Sequence, residues 1–286
     1  MITVFTPTYN RKNELRDLYN SLLRQNYDDF EWLIVDDGSK DNTKEYINKI
    51  KSEKQIKIKY IYKENGGKQS AYNKGVEQAC GDIFLCIDSD DIFKDNVLKK
   101  IAEDFKKIEK KDKIAGIAYA QGFISNKKEI IGTPFPSDNL EANYFDIYHK
   151  HKVTGDKLIV LKTNIAKKYL FPMIKGEKFV PEALIFNRIS KEYNFICKNN
   201  IMAYKEYLDN GYSNNYFNLV KRNPKGNRLY FKELYQLEKS MYNVYGYLLF
   251  SIYGKIKFKD IIKEHPAKFK VFMMYIPVWI IVKIRK

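Results

Sequence analysis

Residues 83–91 read Ile83-Phe84-Leu85-Cys86-Ile87-Asp88-Ser89-Asp90-Asp91. Five apolar residues run without alternation into a cluster of carboxylates. An unbroken apolar run of this length fits a strand covered on both faces, as in the centre of a parallel sheet. Alternating carboxylates where such a strand ends supply the oxygen donors that a hard divalent cation takes, and Mg²⁺ or Mn²⁺ in such places also coordinates substrate phosphates. The same residues also suit a simple helix start, because Asp91 precedes a helical stretch and an acid favours its positive end.

The segments on either side decide between these readings. Upstream, Ile2–Phe5 is a short β-branched and aromatic strand. Asn10 can cap a helix in which Leu15, Leu18, Tyr19, Leu22 and Leu23 recur at helical spacing. Trp32–Val35 is a second strand, followed by the turn Asp36-Asp37-Gly38-Ser39 and a helix to about Lys51. Ile56–Tyr62 alternates as a third strand, and Gly66-Gly67 opens a helix to about Cys80. Downstream, a Lys-rich helix covers about 95–110, and Ile114–Ala120 is a further strand. Strand-helix-strand alternation with short loops predicts an α/β fold with a mainly parallel sheet, and such sheets bind ligands at the carboxyl ends of their strands. Four polar loops fall there: Thr6–Asn10, Asp36–Ser39, Asn65–Lys68 and Asp88–Asp91.

These four pieces together resemble the inverting nucleotide-sugar glycosyltransferases of the GT-A fold, family 2. The resemblance is carried by Thr6-Pro7-Thr8-Tyr9-Asn10-Arg11, by Ile34-Val35-Asp36-Asp37-Gly38-Ser39, by Asn65-Gly66-Gly67-Lys68 with Ala71, Asn73 and Gly75, and by Asp82 through Asp91. It covers residues 1–95 in order and spacing. Beyond residue 120 it rests on Gly176–Glu182 and Glu206–Ser213, which look like a bacterial surface-polysaccharide branch. The resemblance implies that Pro7 and Tyr9 line a base pocket, with the Tyr9 ring on uracil. It implies that Asp37 accepts hydrogen bonds from the nucleotide and that Lys68 lies near the ribose-phosphate. Asp90 would be the ligand of Mn²⁺ or Mg²⁺, and Asp88 a ribose or sugar contact. Taken singly, Asp37 also suits a turn and Tyr9 a half-buried strand end. The chemistry is consistent with the family, since a departing diphosphate gathers negative charge that a divalent cation and Lys68 would stabilise.

Inversion needs a base on the acceptor side. In the family an acid just before a helix serves, which points to Glu182. It follows Pro181 and precedes the helical Ala183–Arg188, and a carboxyl of ordinary pKa is already ionised at neutral pH. Glu177 and Asp156 compete for the role, and many relatives have Glu-Asp where this chain has Glu182-Ala183. The Q-x-x-R-W signature of processive synthases is missing, so a single addition is expected.

The chain has 286 residues, with 51 Lys+Arg against 35 Asp+Glu and a net charge of +16. Such a surplus implies an anionic partner. Residues 221–286 hold 15 Lys+Arg and 4 Asp+Glu, so the surplus is concentrated there. The expected organisation is a GT-A catalytic domain over 1–220, with a nucleotide-sugar half at 1–100 and an acceptor half at 101–220. A linker at 221–228 then leads into a basic, aromatic helical extension over 221–286. Val271–Val282 is the longest apolar run but, at 12 residues with Pro277 inside, is too short to span a bilayer. Apolar segments with basic flanks predict attachment to an anionic membrane surface. Three scattered cysteines, Cys80, Cys86 and Cys197, and no leader-like start fit a reduced, cytoplasmic compartment; Cys80 and Cys86 read as buried small residues.

The expected function is therefore metal-dependent, inverting transfer of a hexose or N-acetylhexosamine from a UDP-sugar to a hydroxyl of a surface glycan, such as capsule or O-antigen. The acceptor would be a polyprenyl-diphosphate-linked glycan at the inner face of the bacterial cytoplasmic membrane. Two other classes compete. A single-strand nucleic-acid-binding protein would use the basic, Tyr-rich tail, but the carboxylate cluster argues against it and no nucleic acid is expected. A nucleotidyltransferase on a related fold would need a Gly-rich basic loop after the first strand, which is missing.

Overall fold

The computed structural model describes residues 1–205 and 216–284. The Glu206–Ser213 segment lies outside the described residues. The chain forms two compact units: Met1–Leu170 with Arg188–Glu206, and Phe171–Asn187 with Tyr207–Lys286.

In the first unit, the apolar runs become β1 (Ile2–Thr8), β2 (Phe30–Asp36), β3 (Ile58–Tyr62) and β4 (Ile83–Cys86). The helices between them are α1 (Lys12–Leu23), α2 (Thr43–Ser52) and α3 (Lys68–Gln78). β1 pairs in parallel with β2 and β4, and β2 with β3. This half is the parallel sheet expected, with β1, β2 and α1 supplying Val4, Trp32, Ile34, Leu15 and Leu18 to one core. Each of these crossovers carries its own helix, which parallel pairing requires. Leu23, counted with the buried face of α1, is instead 43% exposed at the helix end.

The second half is mixed. β5 (Ile92–Phe93), α4 (Val97–Lys106), β6 (Ile114–Phe123), β7 (Leu140–Ala142), α5 (Tyr144–His149), β8 (Lys157–Lys162), α6 (Thr163–Lys168), α7 (Ala183–Ile189, of which only Arg188 and Ile189 belong to this unit) and β9 (Asn194–Lys205) follow. β8 runs antiparallel to both β4 and β6 and so joins the halves. Among the described residues the sheet has the order β3-β2-β1-β4-β8-β6-β9-β5, with β7 on β9. β4 therefore lies inside the sheet, and its Phe84 and Leu85 are buried as an unbroken apolar run requires. β9 lies beside β6 in parallel, with register shifts that bring its last residue, Lys205, beside Phe123.

The second unit is helical: α8 (Tyr216–Arg222), α9 (Pro224–Leu237), α10 (Met241–Tyr253), α11 (Phe258–Glu264) and α12 (Lys268–Ile284). Tyr235, Val244, Tyr247, Leu248, Ile261, Val271 and Val278 form its core. Arg228 ties three of these helices, donating to Ser251 Oγ at 2.9 Å and Tyr247 OH at 2.7 Å and pairing with Glu264 at 3.0 Å. The segment expected as a linker is a helix end and a helix start. Pro224 takes the first turn of α9, where its missing N–H is no loss. The Glu177 carboxylate caps the same turn, accepting from Lys225 N and Gly226 N at 2.8 Å each. The polar residues that read as a linker are those of a capped junction.

Among the described residues no helix is long and apolar enough to cross a membrane. Cys197 is buried, but Cys80 is exposed and Cys86 half-buried. Cys80 lies just beyond the end of α3, outside the sheet core.

Candidate active site

The carboxyl ends of β1 to β4 bring the four polar loops together, and each is bonded to the next. Asn10 has a left-handed φ of 52° and does not cap α1. Its amide instead serves the second loop: Asn10 N donates to Ser39 Oγ at 2.9 Å, and Lys40 N donates to Asn10 Oδ1 at 2.8 Å. Asp37, buried at the end of β2, binds the third loop. Its carboxylate accepts from Gly66 N at 2.9 Å, Gly67 N at 2.7 Å and Lys63 Nζ at 2.6 Å. Gly38 has a φ of 88°, and a Cβ there would stand 2.9 Å from Asn65 N, so glycine is what lets these loops meet. Lys68 at the start of α3 reaches the fourth loop, 2.6 Å from Asp88 Oδ1. Arg11 closes the ring by donating to Asp90 Oδ2 at 2.7 Å.

One further cation comes from the second half of the sheet. Lys205, at the end of β9, stands 3.2 Å from Asp156, 3.6 Å from Asp88 and 4.0 Å from Asp91. Burial opposes its charge, but the three carboxylates raise it above the usual lysine range. Burial also opposes the charge on Asp88, yet Lys68 and Lys205 prevail and hold it well below the usual carboxylate range. Asp91 goes the other way. Burial, joined by the charges on Asp88 and Asp90, outweighs Lys205 and raises it well above that range. Gln121 donates to Asp91 Oδ2 at 3.3 Å, while the buried Oδ1 has no hydrogen-bond partner.

The remaining expected residues fall as follows. Tyr9 is 46% exposed at the end of β1, its ring available for stacking. Pro7 is buried in β1 opposite Val35. Tyr9, Asp37, Lys68, Asp88 and Asp90 thus share one sheet edge. Glu182 is exposed in the second unit, one residue before α7. Glu177 has both carboxylate oxygens committed to the cap of α9. Asp156 is paired with Lys205.

Sequence reasoning missed Lys63 and Lys205, and it gave Arg11 no role. Lys63 directly follows β3, so the strand-end rule could have marked it. Lys205 had no comparable signal, because its place depends on where β9 joins the sheet.

A divalent cation fits the donor set. The available donors are carboxylate oxygens, one of them a buried oxygen without a hydrogen-bond partner. The unpartnered oxygen is Asp91 Oδ1, and Asp88 and Asp90 belong to the same loop. Among the described residues no group of three or more His, Cys, Asp or Glu could hold a metal, so a cation here would also need oxygens from a bound ligand.

Comparison with known proteins agrees with this geometry. The family model for glycosyl transferase family 2 matches residues 3–170. An uncharacterized glycosyltransferase of Nostoc sp. is 37% identical over 105 residues, 37% of this chain and 33% of that protein. A poly-beta-1,6-N-acetyl-D-glucosamine synthase of Staphylococcus aureus is 34% identical over 131 residues, 46% of this chain and 31% of that protein. The matches thus span a third or less of these relatives' own lengths. Among solved structures, S. aureus TarS 1–349 in complex with UDP-GlcNAc superposes with a TM-score of 0.66 at 18% identity, covering 100% of this chain and 92% of that one. A mannosyltransferase from Pyrobaculum calidifontis in complex with GDP-Man and Mn²⁺ gives a TM-score of 0.57 at 15% identity, covering 99% and 79%. With four bonded loops on a GT-A sheet and a family match over more than half its length, this chain belongs to glycosyl transferase family 2.

Proposed function

We propose that this chain moves a sugar from a UDP-sugar to a hydroxyl of a bacterial surface glycan, with inversion at the anomeric carbon. The observation that carries the reading is the bonded ring of Asn10, Asp37, Lys68, Asp88, Asp90 and Arg11 at one sheet edge, with the Tyr9 ring exposed beside it. The solved relatives bound to UDP-GlcNAc and to GDP-Man with Mn²⁺ support a nucleotide-sugar donor at this edge.

In this reading Tyr9 stacks on the base above Pro7, and Asp37 holds the loop that meets the nucleotide. Asp88 contacts the ribose or sugar, and Lys68 turns from Asp88 toward the phosphates. Asp90 would hold Mn²⁺ or Mg²⁺, which when bound would spread the charge gathering on the departing diphosphate. The acceptor oxygen bonds to the anomeric carbon as the bond to the diphosphate breaks, and Glu182 takes the proton from that oxygen. Residues 1–220 hold these groups, with the acceptor side in 101–220. Residues 221–286 attach the chain to an anionic membrane surface, the inner face of the cytoplasmic membrane, beside a polyprenyl-diphosphate-linked acceptor. The absence of Q-x-x-R-W supports one addition per binding event.

The test is isothermal titration of the full chain with UDP, with and without Mn²⁺, beside Asp90→Ala. Metal-dependent binding that disappears in the variant is expected. A folded protein that binds no UDP under any condition would overturn the reading.

A further inference from the structure

The helix α12 is apolar on two opposite faces, and only one of them is covered. Val271, Val278 and Val282 are 0–1% exposed and pack into the helical core. At 100° per residue they lie on one side of the helix. Phe269, Phe272, Met273, Ile276, Ile280 and Ile284 lie on the other, and each is 45–79% exposed. A helix apolar all round is ordinarily buried all round, and a contiguous exposed apolar face marks a surface with a partner.

The surroundings of this face identify the partner. Lys268 and Lys270 stand on its two flanks at one end, and Lys283 stands at the other, 5.3 Å from the centre of the Trp279 ring. Lys255, Lys257, Lys259 and Lys263 precede it in the chain, against only Asp260 and Glu264. A second copy of this chain would bring lysine against lysine, at a cost in like-charge contact. An anionic lipid surface meets both features: acyl chains for the apolar face and headgroups for the lysines. Spanning is not the mode, because 17 residues reach only about 26 Å and the valine face is already engaged by protein.

We propose that α12 lies along an anionic leaflet, with Phe269, Phe272, Met273, Ile276, Ile280 and Ile284 in the acyl region and Trp279 at the headgroup boundary. This deepens the membrane attachment proposed above, giving it a face and a depth. It does not depend on the sugar-transfer reaction.

The test uses the two tryptophans. Trp32 is fully buried in the first unit, so a change in tryptophan emission on adding lipid reports Trp279. The full chain is mixed with phosphatidylcholine vesicles, with vesicles containing phosphatidylglycerol, and with the latter carrying brominated acyl chains. The expected result is a blue shift and bromine quenching only with anionic vesicles, both lost in Trp279→Phe. Phe272→Glu and Ile276→Glu, at exposed positions, should weaken partitioning at least tenfold with unchanged circular dichroism. UDP binding measured on the same samples should be unaffected. Vesicle binding that is salt-sensitive but leaves Trp279 unquenched and both glutamate variants unimpaired would overturn the docking face. So would a stable dimer in sedimentation equilibrium that both variants dissociate. If lipid binding fails while UDP binding persists, only this inference falls; if UDP binding fails while lipid binding persists, only the transferase reading falls.

Discussion

His265, at the turn between α11 and α12, makes the helical unit sensitive to acid. It is 1% exposed, between the rings of Tyr235 and Tyr247 at 4.8 and 4.5 Å. Its Nδ1 accepts from Ala267 N at 3.1 Å, and Nε2 is buried without a partner. Burial, followed by the positive charges of Lys232 and Arg228, pushes its pKa down to about 4. Glu264, which could favour the charged ring, is already paired with Arg228 at 3.0 Å and Lys232 at 3.8 Å. Lys270 sits over the Tyr235 ring and adds positive charge nearby.

The unfolded chain takes a proton at this histidine below about pH 6.5, while the fold refuses it until about pH 4. Unfolding therefore binds a proton in that window, and stability falls as pH drops through it. The loss is about 2 kcal/mol between pH 7 and pH 5 and about 3 kcal/mol near pH 4, where it levels off. The perturbation is His265→Asn, whose side-chain oxygen can still accept from Ala267 N and which does not titrate. Urea melts followed by helical circular dichroism at pH 7 and pH 5 give the difference between wild type and variant, in which the carboxylate contributions cancel. Proton NMR of the imidazoles reads the pKa directly, since the chain has only 3 histidines. A His265 that titrates near 6.5, or equal acid losses in the two proteins, would refute the argument.

Three substitutions test the sheet edge and the proposed base. Asp37→Asn keeps the shape but leaves one of the Gly66 and Gly67 N–H groups without its acceptor and removes the negative charge beside Lys63. It should cost about 2–3 kcal/mol in thermal melts and weaken UDP binding. Lys205→Met leaves the buried Asp91 and the half-buried Asp88 short of a cation; about 3 kcal/mol of stability should be lost at neutral pH, and a loss no larger than that of a surface lysine would refute the assigned role. Glu182→Gln should lower kcat about 10²–10⁴-fold while leaving UDP affinity unchanged in calorimetry, and an unaltered kcat would move the base elsewhere.

The sequence by itself determined the parallel half of the sheet and the edge that carries the site. Strand and helix periods are local properties, and polar loops at strand ends must gather wherever parallel strands align, so Tyr9, Asp37, Lys68, Asp88 and Asp90 were legible as neighbours. The partners across that edge were not. Arg11 meets Asp90 across 79 residues, and Lys205 reaches Asp88 only because β9 enters beside β6 with shifted register; no local pattern encodes such a pairing. The polar stretch around Asn223 has the composition of a linker, and only the approach of Glu177 from far upstream shows it to be a capped helix start. The run Val271–Val282 shows no helical periodicity, because nearly every residue in it is apolar. Packing against the other helices chose Val271, Val278 and Val282 for the inside and left Phe272, Ile276 and Ile280 facing out. Burial is decided by what the rest of the chain brings to each side of a helix, and tertiary structure alone supplies that.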